Sequence, residues 1–179
     1  MPPDEHRLSA VEAEARDASA GYELVTWRDR TPDALLDDRA LLEQRMSTDV
    51  PHGDLPVEEE HWDAERVREY EASHVARGRT VLSAGAVRDG RLVAFTDLQV
   101  PLAQPQRAHQ GGTLVLREHR GHRLGARMKA AVLRDLLGTL PAVRRISTYN
   151  SEQNAPMVAV NEALGFRPAG HLSTWSLRL

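Results

Sequence analysis

The chain has no cysteine. That excludes a disulfide framework, a zinc–thiolate site and a cysteine nucleophile. No apolar run approaches the ~20 residues that a membrane helix needs, so no membrane partner is expected. There is no excess of positive charge: 23 basic against 26 acidic residues leave a net of -3. Without that excess, nucleic acid is not favoured as a partner. The N-terminal stretch MPPDEHRLSAVEAEARD is acidic and lacks an apolar core, so no secretory signal is expected there. Lysine is nearly absent too. Lys129 stands alone among the 23 cations, and the others are arginine. With abundant alanine, this reads as GC-rich coding rather than physics. There is no internal repeat and no low-complexity linker. What is present, 179 residues of which 41% are hydrophobic, suits one domain of ordinary size with a real core. A cytoplasmic location is expected.

Residues 1–20 are polar and alanine-rich, with Leu8, Val11 and Ala15 as one thin stripe. They are expected to form an extension, loosely helical or disordered, ahead of a domain over 21–179. Tyr22 to Trp27 alternates and reads as a strand. Thr31-Pro32-Asp33 opens a helix that runs to about residue 47, with Thr31 as its cap. Residues 49–56 form a loop. A second helix starts near Asp63, carries Val67, Tyr70, His74 and Val75 on one face, and stops at Gly78. Thr80–Val87 and Arg91–Val100 read as a hairpin about Asp89-Gly90. Gly112–Leu116 is a third strand, and Gly121 to about Leu140 a strongly amphipathic helix. Val143–Tyr149 is a strand, Asn154–Leu164 a helix stopped by Gly165, and His171–Leu179 one or two strands. The order is β, α, α, β, β, β, α, β, α, β. That predicts an α/β (α+β) fold with a mixed sheet and helices on both faces.

Chemistry concentrates in Thr113-Leu114-Val115-Leu116-Arg117-Glu118-His119-Arg120-Gly121-His122-Arg123-Leu124-Gly125-Ala126. It runs strand, tight turn, helix. A helix start offers unpaired N–H groups and a positive dipole end. Glycine lets a bulky anion approach that backbone. The arrangement suits a pyrophosphate cradle. It is not a Walker A loop, because no Lys-Ser/Thr follows Gly125, and it lacks the third glycine of a dinucleotide fingerprint. The plainer alternative is a capping glycine and a packing glycine in a basic turn.

The stretch resembles motif A of the GNAT superfamily of acyl-CoA-dependent N-acyltransferases. Arg120 opens that family's Gln/Arg-x-x-Gly-x-Gly/Ala pattern, Val115 fills the preceding valine position and Gly125 the last glycine. Arg123 departs from the pattern by standing at the first glycine. Downstream, Thr148 to Asn154, followed by Met157, Asn161 and Leu164-Gly165-Phe166, looks like the family's motif B. Two motifs in the predicted order are far more specific than one, and the resemblance covers about 21–179. The Arg-Gly-His-Arg-Leu-Gly wording also resembles an actinobacterial group often built as tandem GNAT domains, of which this chain would match the C-terminal half.

The resemblance implies a mostly antiparallel sheet with one splayed strand pair holding acetyl-CoA as co-substrate. Thr113, Leu114 and Val115 would bind the pantetheine arm like an added strand. Backbone N–H groups over Arg120, Gly121, His122, Arg123, Leu124, Gly125 and Ala126 would hold the diphosphate, and Asn154 would also touch the cofactor. The Arg123 side chain could instead reach a phosphate directly. The amine would attack the thioester directly. Many members carry a tyrosine acid four residues before Gly-Phe; here that position is Asn161, which has no titratable proton. Asn161 could still hydrogen-bond the thiolate, and water, the substrate ammonium, Tyr149 or a nearby histidine would then supply the proton. Glu118, His119 and Asp97 are candidate bases, against the plain reading that each faces solvent. His119 and His122 are three apart, but no third ligand has suitable spacing, so no metal is expected. Asn150 would bind the amide or a water, or simply form an Asx-turn.

For the acceptor, Asp54, Glu58, Glu59, Glu60, Asp63 and Glu65 form an acidic run free of Lys and Arg. It would draw in a cationic small-molecule amine, or be a solvated helix start. Trp27 and Trp62 would wall the pocket or sit in the core. The function expected is transfer of acetyl to a primary amine by a monomer or homodimer. The alternative is a non-catalytic acyl-CoA-binding module with a regulatory or assembly role; a third is another acyl-CoA reaction on the same scaffold.

Overall fold

The computed structural model describes residues 4–49, 59–151, 153–173 and 175. The helices are α1 (Glu5–Ala18), α2 (Leu36–Asp49), α3 (Ala64–Ala76), α4 (Leu124–Thr139) and α5 (Ala155–Ala163). The strands are β1 (Glu23–Arg28), β2 (Arg79–Arg88), β3 (Arg91–Pro101), β4 (Arg107–Val115) and β5 (Arg145–Ser147). They form one sheet in chain order, antiparallel except for the parallel β4–β5 pair. The β2–β3 hairpin turns on Asp89 and Gly90, both left-handed, as a two-residue turn matched to strand twist requires.

The sheet has two covered faces. One side buries Leu82, Ala84, Leu98 and Val100 against α4, with α1 and α5 contributing Leu8, Val11 and Leu164. The other side packs Phe95, Leu92 and Leu114 against Leu42 and Met46 of α2. Met128, Val132, Leu133 and Leu136 supply the buried stripe of α4.

Several expectations change. The stripe Leu8, Val11 and Ala15 is the buried face of a regular helix, capped by Asp4 and packed on α4, rather than a loose extension. Thr31 does not cap; its hydroxyl is buried without a partner, and a 3-10 turn at Asp33–Leu35 leads into α2. Asp63 does cap α3, through Arg66 N–H at 2.8 Å, but Val75 lies outside the buried face. β4 begins at Arg107, five residues before the expected Gly112, because Ala108 and Gln110 alternate into the core between polar neighbours. His171, Leu172, Ser173 and Trp175 are not in a strand; the rest of that expected segment lies outside the described residues.

Candidate active site

The site is built where β4 ends. The main chain passes through a 3-10 turn at Arg117–His119, an extended Arg120, and Gly121 at φ +87. Arg123 then adopts the left-handed region, φ 53 and ψ 20, and heads α4. Among the described residues no side chain caps α4. The N–H groups of its first turn therefore lack intrahelical partners and sit at the positive end of the helix dipole. Two left-handed residues bracket His122, a backbone shape that turns N–H groups into a shared concavity.

The side chains of this loop are drawn away from that concavity. His119 Nδ1 meets the Tyr22 hydroxyl at 3.0 Å, and His122 Nδ1 meets the Ala18 carbonyl at 3.1 Å. Arg123 donates to Glu14 at 2.6 Å, and Arg127 to Ser19 Oγ at 2.9 Å and the Tyr22 carbonyl at 3.1 Å. Arg120 donates to the Val115 carbonyl at 3.1 Å and Asp49 at 3.0 Å. A Cβ added at Gly121 or Gly125 would meet nothing within 4 Å. Open backbone donors at an uncapped helix start fit a diphosphate. Leu124 contributes only backbone, since its side chain is core, and Ala126 is half-buried.

Beside this cradle the parallel strands part. β5 pairs β4 only through Arg107–His109 with Arg145–Ser147. Beyond Ser147 the edge of β4 that faces away from β3 carries Thr113 without a strand partner among the described residues, whereas Leu114 turns its backbone to β3 opposite Phe95 and the Val115 carbonyl is taken by Arg120. On its other edge, Gly111 and Gly112 of β4 oppose the single residue Asp97, a bulge that re-aims the strand. Cβ atoms there would lie 3.3 Å from Asp97 Cβ and from Phe95, so glycine permits the close approach. Gln110 Nε2 and the Thr113 hydroxyl converge on the Thr96 hydroxyl at 3.0 and 2.7 Å.

The remaining candidates scatter. Asn154 caps α5, accepting from Met157 N–H at 3.3 Å, so its side chain has a local task. Tyr149, Asn150 and Glu118 are exposed. Asn161 is buried on α5, and its Oδ1 accepts from Lys129 Nζ at 2.7 Å. Asp97 is not a bare carboxylate. Arg39 grips it at 3.1 and 2.6 Å, Ser83 donates to it at 2.7 Å, and Arg39 also holds Glu43 while stacking 3.8 Å from the Phe95 ring centre. Burial alone would make Arg39 easier to deprotonate; Asp97 and then Glu43 overcome this and hold its charge. Burial pushes the Glu43 carboxyl up, against the pull of Arg39.

A cleft on the α2–α3 side is lined by Trp27, Asp29, Tyr70, His74, Ser83 and Asp97, among others. His74 is buried with both ring nitrogens unpartnered among the described residues. Burial, then the nearby Arg79, lowers its pKa and favours the neutral ring. Much of the acidic run is internally engaged: Glu59 accepts from Gln44 at 2.9 Å, Glu60 pairs with Arg66 at 2.5 Å, and Asp63 is the cap of α3. Asp54 and Glu58 lie outside the described residues. The sequence reading overlooked Lys129, Arg39 and the anchoring by α1. For Lys129 a signal existed: it recurs with Leu133 and Leu136 at i, i+4 and i+7, a charge on an apolar stripe.

Comparison with known proteins agrees with this geometry. The acetyltransferase (GNAT) family matches residues 39–166. A tandem GNAT protein from the clavulanic acid biosynthesis pathway is 41% identical, with a TM-score of 0.69 over 83% of this chain and 43% of that one. This chain thus spans less than half the length of that relative. The aminoglycoside N-acetyltransferase AAC(6')-Iy, solved with a bisubstrate analogue, is 18% identical, with a TM-score of 0.60 over 88% of this chain and 99% of that one. A Trypanosoma brucei acetyltransferase is 17% identical, with a TM-score of 0.62 over 87% and 99%. These last two likenesses concern the fold. No curated protein matches significantly. With an uncapped helix start beside a parted parallel strand pair, and a family match over most of its length, the chain belongs to the GNAT acetyltransferase family.

Proposed function

We propose that the chain transfers acetyl from acetyl-CoA to a primary amine of a small molecule by direct attack of the neutral amine on the thioester. One observation carries the reading: β4 and β5 separate beyond Ser147, next to an α4 start whose N–H groups no side chain caps. In this reading the open edge of β4 at Thr113 receives the pantetheine arm, and the backbone from Gly121 to Ala126 holds the diphosphate. Arg120 and Arg123 act as struts of the loop rather than as phosphate ligands, given their engagement with Asp49 and Glu14. We assign residues 21–179 to the transferase domain, with α1 as its brace. The acceptor enters from the cleft that holds Trp27, Asp29 and Tyr70, and Glu59, held by Gln44 of α2, favours a cationic amine.

Calorimetry with coenzyme A, followed by thiol release from acetyl-CoA across a panel of cationic and neutral amines, tests this. Binding with amine-dependent release is expected, with cationic amines preferred at low salt. Glu59→Gln raises the apparent KM for a cationic amine in a salt-sensitive way; an unchanged KM removes the acidic approach from the reading. A second reading, a non-catalytic acyl-CoA-binding module, draws on Asn161 and on the locking of Asp97 by Arg39. Binding without turnover on any amine of the panel favours that reading.

A further inference from the structure

Lys129 is the only lysine of the chain. It is also among its most buried side chains, at 1% exposure. Its Nζ donates to Asn161 Oδ1 at 2.7 Å, across the seam between α4 and α5. Asn161 is itself buried, and its amide Nδ2 has no partner among the described residues. An ammonium held in an apolar seam by one neutral acceptor is costly, and a methionine would fill the same volume without that cost. The seam has a particular location. α4 follows β4 and α5 follows β5, so the seam joins the two helices that leave the two strands on either side of the gap. Two buried polar groups with unused donor capacity therefore meet between the helices that flank the place assigned to the thioester arm.

We propose that Lys129 is the acid that protonates the departing coenzyme A thiolate, with Asn161 positioning its ammonium and offering its own unpartnered amide N–H to the sulfur. This rests on the acyltransfer reading above. In the step, the amine nitrogen bonds to the carbonyl carbon and the C–S bond breaks with its electron pair on sulfur. Lys129 Nζ gives that sulfur a proton, forming the thiol. The proton shed by the acylated nitrogen passes to water, and the neutral Lys129 recovers one from water. Burial, with no charged group contributing, lowers the Lys129 pKa to about 8. That is close to an ordinary thiol at about 8.5, the matching that favours proton exchange.

Two features of the composition make the test direct. With a single lysine, carbon-13 labelling at lysine Cε yields one resonance that needs no assignment. With no cysteine, thiolate absorbance reports only the ligand. The labelled protein is titrated alone, with coenzyme A, and with desulfo-coenzyme A, which lacks the thiol. The lysine midpoint with coenzyme A is expected to lie above that with desulfo-coenzyme A by about half a pH unit or more. Reciprocally, the thiol of bound coenzyme A ionises at lower pH on the wild-type chain than on Lys129→Met. Equal lysine midpoints with both ligands, while calorimetry shows both bound, overturn the proposal; this readout does not depend on the variant folding. An absence of heat with coenzyme A instead overturns the acyltransfer reading beneath it.

Discussion

At the scale of the residue, Arg123 and Lys129 carry costs that their local surroundings do not explain. Arg123 occupies a left-handed conformation that ordinary residues adopt at a cost of roughly 1–2 kcal/mol. Its ion pair with Glu14 is exposed on both sides, and such pairs contribute little. Arg123→Gly is therefore expected to bind coenzyme A as well as the parent, whereas Arg123→Val, with a β-branch in that conformation, loses about 1–3 kcal/mol of stability and binds more weakly. Urea denaturation and calorimetry on the two variants check this. Lys129 has its folded pKa lowered to about 8 from 10.5. Between those values the unfolded chain holds a proton that the folded chain does not, so stability rises as pH rises from 8 towards 10.5, by roughly 3 kcal/mol at most. Lys129→Met should be at least as stable at neutral pH and should lack that rise. A parallel pH profile in both proteins, read by urea midpoints, would contradict this.

At the scale of the element, α1 is the brace of the cradle. Four residues of the turn and of the α4 start, His119, His122, Arg123 and Arg127, bond to the segment from Glu14 to Tyr22. Leu8 and Ala15 are fully buried beneath α1. Leu8→Ala should cost about 2–5 kcal/mol by opening a cavity against α4. Because α1 also holds the loop, the same variant should weaken coenzyme A binding, though residue 8 lies outside the turn. A lowered Tm with unchanged affinity for coenzyme A would separate the brace from the site.

At the scale of the whole molecule, the sheet divides two buried polar systems. Arg39, Glu43 and Asp97 lie on the α2–α3 side, and Lys129 with Asn161 on the α4–α5 side. Asp97→Asn breaks a buried ion pair and should cost about 3 kcal/mol or more, chiefly as lost stability. With the sheet between them and no shared partner, Asp97→Asn and Lys129→Met should add within about 0.5 kcal/mol in a double-mutant cycle. A larger coupling energy in urea denaturation would mean that the two faces communicate through β3 and β4.

Periodicity and turn chemistry determined most of the elements by themselves. The Asp89-Gly90 hairpin, the helix start near Asp63 and the stripe of α4 depend on neighbours a few residues away, and such signals survive in a linear reading. The strand–turn–helix from Thr113 to Ala126 was legible for the same reason, since its chemistry resides in contiguous backbone. What joins distant segments was decided only by the tertiary structure. The grip of Arg39 on Asp97, the meeting of Lys129 with Asn161, the return of β4 as far as Arg107 and the bracing of the turn by α1 each join segments far apart in the chain. No local pattern encodes such a pairing, because the energy of a buried polar contact depends on what else is excluded from water around it.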